Sequence, residues 1–273
     1  MKRRFEEEAY AMRSSKPSLT IGILLMAFCG ALLSCATDKA PLQVENSLPQ
    51  SELEYYNDSF DKMREDLWDR AGYLYRADQV TNFKQADLRI ESGKLTIRTQ
   101  TGSFSKGGLS SKYALRGDFD IQLNFRMDFV KGISGMDQVF NIGVFDKSLK
   151  EGKMSIAIIG LTMKAGSAQG YLYSNCVVNG RRKKGGSRKT ENFNGAFRFL
   201  RTGKTISTLH KKAGTTRWTK MYTFRVTDKD MIVGFQVRNF LGNRTTIQAN
   251  HSISAEFDSI KINAAQEIIE EEI

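Results

Sequence analysis

The feature that most constrains the fold of this chain is a strict alternation of apolar and polar residues over residues 118–129. The odd positions carry the apolar residues Phe119, Ile121, Leu123, Phe125, Met127 and Phe129. The even positions carry the polar residues Asp118, Asp120, Gln122, Asn124, Arg126 and Asp128. Because successive side chains of a strand point to opposite faces, this pattern predicts a β-strand with one buried face and one polar face.

A period of two also describes much of the chain on either side of this strand. Alternating runs around Ser92 and Gly93 predict a β-hairpin, because a glycine-containing turn between such runs is typical of one. Further strands are predicted over residues 139–145, 154–162, 170–178, 196–201, 205–211, 218–226, 231–238 and 253–262. Many short strands separated by turn residues indicate an all-β sandwich or barrel.

The start of the chain has the order of a secretion signal. A short basic stretch precedes residues 19–33, which are apolar apart from Thr20 and two glycines, and polar residues follow Cys35 at once. The segment resembles a bacterial lipoprotein signal, and the resemblance implies that Cys35 carries the lipid, palmitate included. An uncleaved membrane helix and an ordinary signal peptide remain alternatives, although the run is shorter than the roughly 20 residues that span a bilayer.

This organisation predicts four segments. Residues 1–34 are the signal peptide, with Met12 as an alternative start of translation, and residues 35–54 are a flexible tether. Residues 55–265 form the folded domain, which opens with a short helix or an irregular edge segment over residues 55–76. The acidic residues 266–273 form a frayed or helical tail. The expected location is the bacterial cell envelope outside the cytoplasm, with the outer membrane favoured because Ala36, and not Asp, follows Cys35.

Charge and cysteine content narrow the chemistry. Five of the 41 Lys and Arg residues and three of the 30 Asp and Glu residues precede residue 35, which leaves a net charge of +9 on the rest. Such a surface favours anionic partners. Cys176 is the single cysteine after Cys35, so the domain has no internal disulfide, and Cys176 is expected to be a buried small side chain. Two histidines cannot build a multi-histidine metal site.

Residues 195–203 (Gly-Ala-Phe-Arg-Phe-Leu-Arg-Thr-Gly) resemble a segment found in bacterial domains of the concanavalin A-like lectin/glucanase superfamily. The resemblance continues in the alternating residues 205–211, in Trp218, and in residues 119–121 and 257–262, and it covers roughly residues 85–263. It implies a jelly-roll sandwich of two antiparallel sheets, one of them concave. Members of the superfamily include lectins, glucanases and many lipoproteins, so the fold does not choose an activity.

No catalytic residue is assigned from the sequence. Laminarinase-like members of the superfamily carry a Glu-x-Asp-x-x-Glu strand, whose alternation places three carboxylates on one face, and this chain lacks that spacing. The nearest acidic cluster is Asp118, Asp120 and Asp128, which we interpret as polar positions of a strand. The sequence therefore favours a protein that is not an enzyme, and it leaves the question open.

Binding residues are easier to nominate, because sugars are held by aromatic rings and planar polar side chains. The candidate ligand-binding residues are Gln122, Asn124, Arg126, Tyr171, Tyr173, Arg198 and Trp218. A solvated outer sheet with core aromatics is the alternative interpretation of the same residues. A basic loop is also predicted, because glycines interrupt the cations Arg181, Arg182, Lys183, Lys184, Arg188 and Lys189.

The sequence predicts a lipid-anchored carbohydrate-binding or surface-interaction module. The alternatives are a glycoside hydrolase-like enzyme with an unrecognised active site, and a structural envelope protein that uses the basic loop. The expected partners are the membrane, through the lipid, and a glycan or anionic envelope polymer; nucleic acid is not expected. No cofactor and no metal is expected: calcium is common in the superfamily, but no acidic loop here has a suitable ligand spacing.

Overall fold

Fourteen strands and one short helix form the part of the chain that the computed structural model describes, namely residues 44–70, 83–102, 104–133, 136–146, 155–240 and 251–270. The expected signal peptide, Cys35 and the first half of the expected tether lie outside these residues. Within the described ranges, no helix combines the length and the apolar character needed to span a membrane.

The elements follow one another as α1 (Gln50–Tyr56), β1 (Trp68–Arg70), β2 (Lys84–Gln85), β3 (Asp87–Glu91), β4 (Lys94–Arg98), β5 (Ser105–Met127), β6 (Asp137–Asp146), β7 (Ser155–Met163), β8 (Gly170–Val178), β9 (Arg181–Thr190), β10 (Phe193–Thr202), β11 (Thr205–Lys212), β12 (Thr219–Arg225), β13 (Met231–Phe240) and β14 (Ser254–Glu270). Described strands pair antiparallel, apart from the short parallel contact of β2 with β5. The prediction of an all-β, antiparallel domain is confirmed.

Strand β5 belongs to both sheets of the sandwich. Its second half pairs with β10 on one side and β14 on the other, which gives sheet A the order β3-β4-β14-β5-β10-β11-β12. Its first half pairs with β1 and β13, which gives sheet B the order β1-β5-β13-β6-β7-β8-β9. Gly117 lies between the halves with a φ of 70°, a conformation that glycine adopts without strain.

The hydrophobic core lies between the two sheets. The apolar face of β5 is completely buried, as the alternation of residues 118–129 predicted. The Phe125 ring centroid lies 4.4 Å from that of Phe140 on sheet B and 4.6 Å from that of Phe197 on sheet A. Phe235 of β13 and Phe257 of β14 add a second contact between the sheets, at 4.8 Å. Aromatic rings at these distances stabilise each other beyond the area that they bury.

Two hairpin turns use residues with a positive φ. Ser92 and Gly93 have φ values of 53° and 70° and join β3 to β4, which confirms the predicted hairpin. Asn179 and Gly180 have φ values of 50° and 72° and join β8 to β9. Asn and Gly tolerate this conformation, which a two-residue turn between twisted strands requires.

The predicted basic loop is wrong, because Arg181, Arg182, Lys183, Lys184, Arg188 and Lys189 lie on strand β9. The backbone of this strand pairs with β8 from Val178–Arg181 to Gly170–Thr190, so the turn comes earlier, at Asn179 and Gly180. The glycines that suggested a loop serve close packing instead. A Cβ atom on Gly185 would lie 2.7 Å from Cζ of Phe224, which only a glycine avoids.

Both ends of the predicted domain also differ from the sequence prediction. Residues 47–54 were assigned to the tether, but the Leu48 amide donates to the Ala265 carbonyl at 2.8 Å and Leu53 of α1 is buried. The acidic tail was expected to be frayed or helical, but β14 continues as a strand to Glu270. Backbone pairing with β5 and the hydrogen bond from the Tyr56 hydroxyl to Glu270 Oε1, at 2.8 Å, hold this end in place.

We expect Phe125→Ala to lower the free energy of unfolding by about 3–5 kcal/mol, because the substitution leaves a cavity where the aromatic rings of both sheets meet. Tyr222→Ala is the matched control, since this aromatic side chain is 46% exposed, and we expect it to cost about 1 kcal/mol or less. Denaturant unfolding of the two variants measures both values. Equal losses would contradict the position of the core.

Candidate functional site

The structure divides the seven predicted ligand-binding residues between the outer faces of the two sheets. Gln122, Asn124 and Arg126 of β5 and Arg198 of β10 lie on the outer face of sheet A, and Trp218 precedes β12 on the same side. Tyr171 and Tyr173 of β8 lie on the outer face of sheet B. The predicted set is therefore not one site.

The polar side chains on the outer face of sheet A largely bond to one another. Gln122 Nε2 donates to Asn124 Oδ1 at 2.8 Å, and Asn124 Nδ2 donates to Ser259 Oγ at 2.8 Å. Arg126 Nη2 donates to Asp128 at 2.6 Å. A shallow depression of about 370 Å³ lies beside Asn124. Because the hydrogen-bonding groups are mutually satisfied, this face has the character of a solvated outer sheet.

Arg198 forms the strongest polar contact on sheet A. Its Nε donates to Asp120 Oδ1 at 2.6 Å and its Nη2 to Asp120 Oδ2, a two-point geometry that fixes both side chains. The two side chains are 13% and 6% exposed. The Trp218 ring carries Arg198 Cζ at 5.3 Å and Lys211 Nζ at 4.9 Å from its centroid. Two cations therefore lie against the Trp218 ring, which the sequence predicts to stack on a sugar.

The outer face of sheet B carries a transverse row of polar side chains. The strand register aligns Tyr173 of β8, Gly160 of β7, Asn141 of β6, Gln236 of β13 and Gly108 of β5. Gln236 Nε2 donates to Asn141 Oδ1 at 3.1 Å. The side chain of Asn141 also hydrogen-bonds the Tyr173 hydroxyl. Three strands thus contribute to one polar row, which we call the tyrosine–amide row (Tyr173, Asn141 and Gln236).

Glycines make this row geometrically feasible. A Cβ atom on Gly160 would lie 2.8 Å from the Tyr173 hydroxyl, so the missing side chain leaves room for Tyr173 to cross β7. A Cβ atom on Gly108 would lie 2.8 Å from the Cα atom of Gln236. Both distances are shorter than ordinary van der Waals contact, and a larger residue at either position would displace a member of the row.

The tyrosine–amide row combines buried amides with partly exposed aromatic groups. Gln236 and Asn141 are buried, whereas Tyr171 and Tyr173 are half-buried. Gln236 Oε1 has no hydrogen-bond partner in the described part of the structure. A buried acceptor without a partner costs about 1–3 kcal/mol.

Cations act on the row from both sides. Burial raises the pKa of Tyr173, and the charges of Arg238, Arg182 and Lys164 partly offset that rise. Lys106 is the register partner of Arg238, which lies two residues from Gln236 along β13. Burial first, and then the Arg238 charge, lowers the pKa of Lys106 to about 8.

Three carboxylates lie at outer-face positions on the described strands that pair in sheet B: Asp69 of β1, Asp137 of β6, and Glu267 of β14, which is the register partner of Arg116. Asp69 lies in register with Gly143 of β6, three strands away and six residues from Asp137. Strand spacing and rise place the two roughly 24 Å apart. Glycoside cleavage requires two carboxyl groups about 5–10 Å apart. Among the described residues, no group of His, Cys, Asp and Glu side chains gathers into a metal site.

The sequence did not nominate Asn141 and Gln236. Each is an amide with an apolar residue on either side in the sequence, and a glycine lies two residues away on the same face, at Gly143 and Gly234. This pattern is the feature of the sequence from which the two residues could have been identified. Cys176, in contrast, was expected to be buried, and the structure confirms this: burial raises the pKa of its thiol to about 11.

The fold is that of the concanavalin A-like jelly roll of β-glucanases. A Bacillus licheniformis beta-glucanase superposes with a TM-score of 0.52 at 13% identity, over 81% of this chain and 99% of that one. The laminarinase catalytic domain of Thermotoga petrophila RKU-1 superposes with a TM-score of 0.51 at 9% identity, over 76% and 95%. LamA from Z. galactanivorans, in complex with laminaritriose and laminaritetraose, gives 0.50 at 11%, over 80% and 98%. Identities this low establish the fold alone.

Residues 75–270 match the family described as "Protein of unknown function (DUF1583) C domain". The chain belongs to this family. No curated protein sequence matches it.

We expect Arg198→Ala to lower the free energy of unfolding by about 3 kcal/mol, because it leaves the buried Asp120 carboxylate without its ionic partner. Arg126→Ala is the matched control, because it removes an arginine from the same face of sheet A whose ionic partner, Asp128, is exposed. We expect its denaturation midpoint to stay unchanged. If the two variants unfold alike, the Arg198–Asp120 pair is not the structural contact described above.

Proposed function

We propose that this protein binds a polysaccharide on the outer face of sheet B and does not cleave it. The observation that carries the proposal is the tyrosine–amide row, with Tyr171 beside it. Sugar rings present an apolar face and a rim of hydroxyl groups, so they suit an aromatic side chain next to planar amides. Gln236, which is buried and donates to Asn141 Oδ1 at 3.1 Å, fixes the position of the neighbouring amide in the row.

The distribution of carboxylates favours binding over hydrolysis. Neither Asp69 nor Asp137 has a second carboxylate within catalytic distance on the described strands of sheet B. Both are engaged by lysines, Asp69 by Lys112 at 3.5 Å and Asp137 by Lys164.

The solved structures with this fold support a glycan as the ligand class. LamA from Z. galactanivorans was solved with laminaritriose and laminaritetraose, and the other two superposed proteins are glucanases. We extend that class, and not the reaction, to this chain.

We further propose that Cys35 anchors the protein by lipid to the bacterial outer membrane, facing away from the cytoplasm. The support is the order of basic, apolar and small residues before Cys35. Nine residues separate Cys35 from Glu45, whose carbonyl accepts a hydrogen bond from Gln266 Nε2 at 3.0 Å. Fully extended, a stretch of this length spans about 35 Å.

Glycan binding by the purified full-length chain in detergent tests the proposal. We expect Gln236→Ala and Tyr173→Phe each to weaken binding of the best-bound oligosaccharide at least fivefold, because each removes a hydrogen-bonding group from the row. Gln122→Ala is the matched control: it truncates the same kind of side chain on the opposite sheet and should leave affinity within twofold. Calorimetry or a glycan array provides the readout.

Two results would contradict the proposal. Loss of affinity in Gln122→Ala with none in Gln236→Ala would place the ligand on sheet A. Release of new reducing ends from a bound polysaccharide, abolished by a single carboxylate substitution, would make the protein an enzyme.

A further inference from the structure

The geometry points to an acidic polysaccharide, carrying carboxylate or sulfate groups, as the ligand of the sheet B face. This inference rests on the proposed function and adds the chemical class of the glycan. It follows from the cations that border the tyrosine–amide row, a feature that a neutral glucan would not use.

Strand β9 supplies the first border of cations. Its register pairs Lys189 with Tyr171, Lys184 with Asn175 and Arg182 with Val177. Because side chains of paired residues point to the same face, these three cations lie on the outer face of sheet B beside the row. All three are exposed. We call them the outward cations.

The opposite border lies on the other side of the row. Arg238 of β13 and Lys106 of β5 are register partners at outer-face positions. The charges of Arg238 and Arg182 both lower the pKa of the Tyr173 hydroxyl, from opposite sides of the row, whereas Lys164 is paired with Asp137. A ligand touching Tyr173 would therefore lie in a positive field.

The acidic side chains of this face do not cancel that field. On the outer face of the described strands of sheet B, Asp69 and Asp137 are each paired with a lysine, and Glu267 of β14 is paired with Arg116. Arg182, Lys184 and Lys189 take part in none of the described ion pairs. These three cations would strengthen the binding of a negatively charged ligand, because guanidinium and ammonium groups bind carboxylate or sulfate oxygens by charge-assisted hydrogen bonds.

The alternation of β9 provides an internal control. Arg181, Lys183 and Arg188 lie on the same strand and are equally exposed, but their side chains point to the other side of it. We call them the inward cations. Replacing either set by glutamine removes three positive charges from one strand, so the two triple variants match in net charge and differ in the face that they alter.

The first measurement compares polygalacturonate oligomers with laminarin oligomers of equal length, using the full-length chain in detergent. We expect the acidic probe to bind at least tenfold tighter at 50 mM salt. That advantage should shrink at 500 mM salt, because salt screens contacts between exposed charges.

The second measurement uses the triple variants. Arg182→Gln, Lys184→Gln and Lys189→Gln together should weaken polygalacturonate binding at least tenfold and leave its circular dichroism unchanged. The control with Arg181→Gln, Lys183→Gln and Arg188→Gln should bind within threefold of the parent protein.

The outcomes separate this inference from the proposed function. Equal losses in the two triple variants would mean that net charge alone attracts the polymer and would overturn the inference. Laminarin binding as tight as polygalacturonate binding would overturn the acidic class while leaving glycan binding intact. Failure of every glycan to bind would remove both. Binding to anionic phospholipid vesicles, lost only with the outward cations, would assign this border to a membrane and overturn it too.

Discussion

The architecture depends on one strand that hydrogen-bonds in two sheets. Strand β5 pairs with β13 and β1 through its first half and with β10 and β14 through its second. Its second half can serve sheet A because its alternation is strict: a shift of one residue would turn Phe119 and Phe125 out of the core and Gln122 and Asn124 into it. The bend at Gly117 then lets the same strand border both layers of the core. Because the two sheets enclose the core, the outer faces of sheet A and sheet B lie on opposite sides of the sandwich.

Local sequence patterns predicted the positions of strands and turns better than they predicted which face of which sheet a side chain lies on. The alternation of β5, the hairpin at Ser92 and Gly93 and the bounds of β8 follow from period and turn chemistry, which act over a few residues. Strand β9 was missed, because glycines and charges also describe a loop. Only the contact of Gly185 with Phe224, far along the chain, distinguishes an edge strand packed against its neighbour. The strand at the C-terminus was missed for a similar reason: its partner, β5, is distant in sequence.

The candidate site was less predictable than the fold. Asn141 and Gln236 are 95 residues apart, and their hydrogen bond exists because β6 and β13 pair in one register. No pattern within either strand carries that information. The sequence did nominate Tyr171 and Tyr173, but it grouped them with Arg198 and Trp218, which lie on the opposite sheet. Face assignment requires knowing how β5 divides between the sheets, and that is a long-range property.

Sheet B combines the tyrosine–amide row with exposed cations on β9, and the carboxylates on the outer face of its described strands do not converge, which is the basis for placing glycan binding there. A crystal structure of the chain with an acidic oligosaccharide tests this placement most directly. The account predicts sugar density over Tyr173, Asn141 and Gln236, with an acidic group within about 4 Å of Arg182 or Lys184. Density confined to the depression beside Asn124 on sheet A would contradict it.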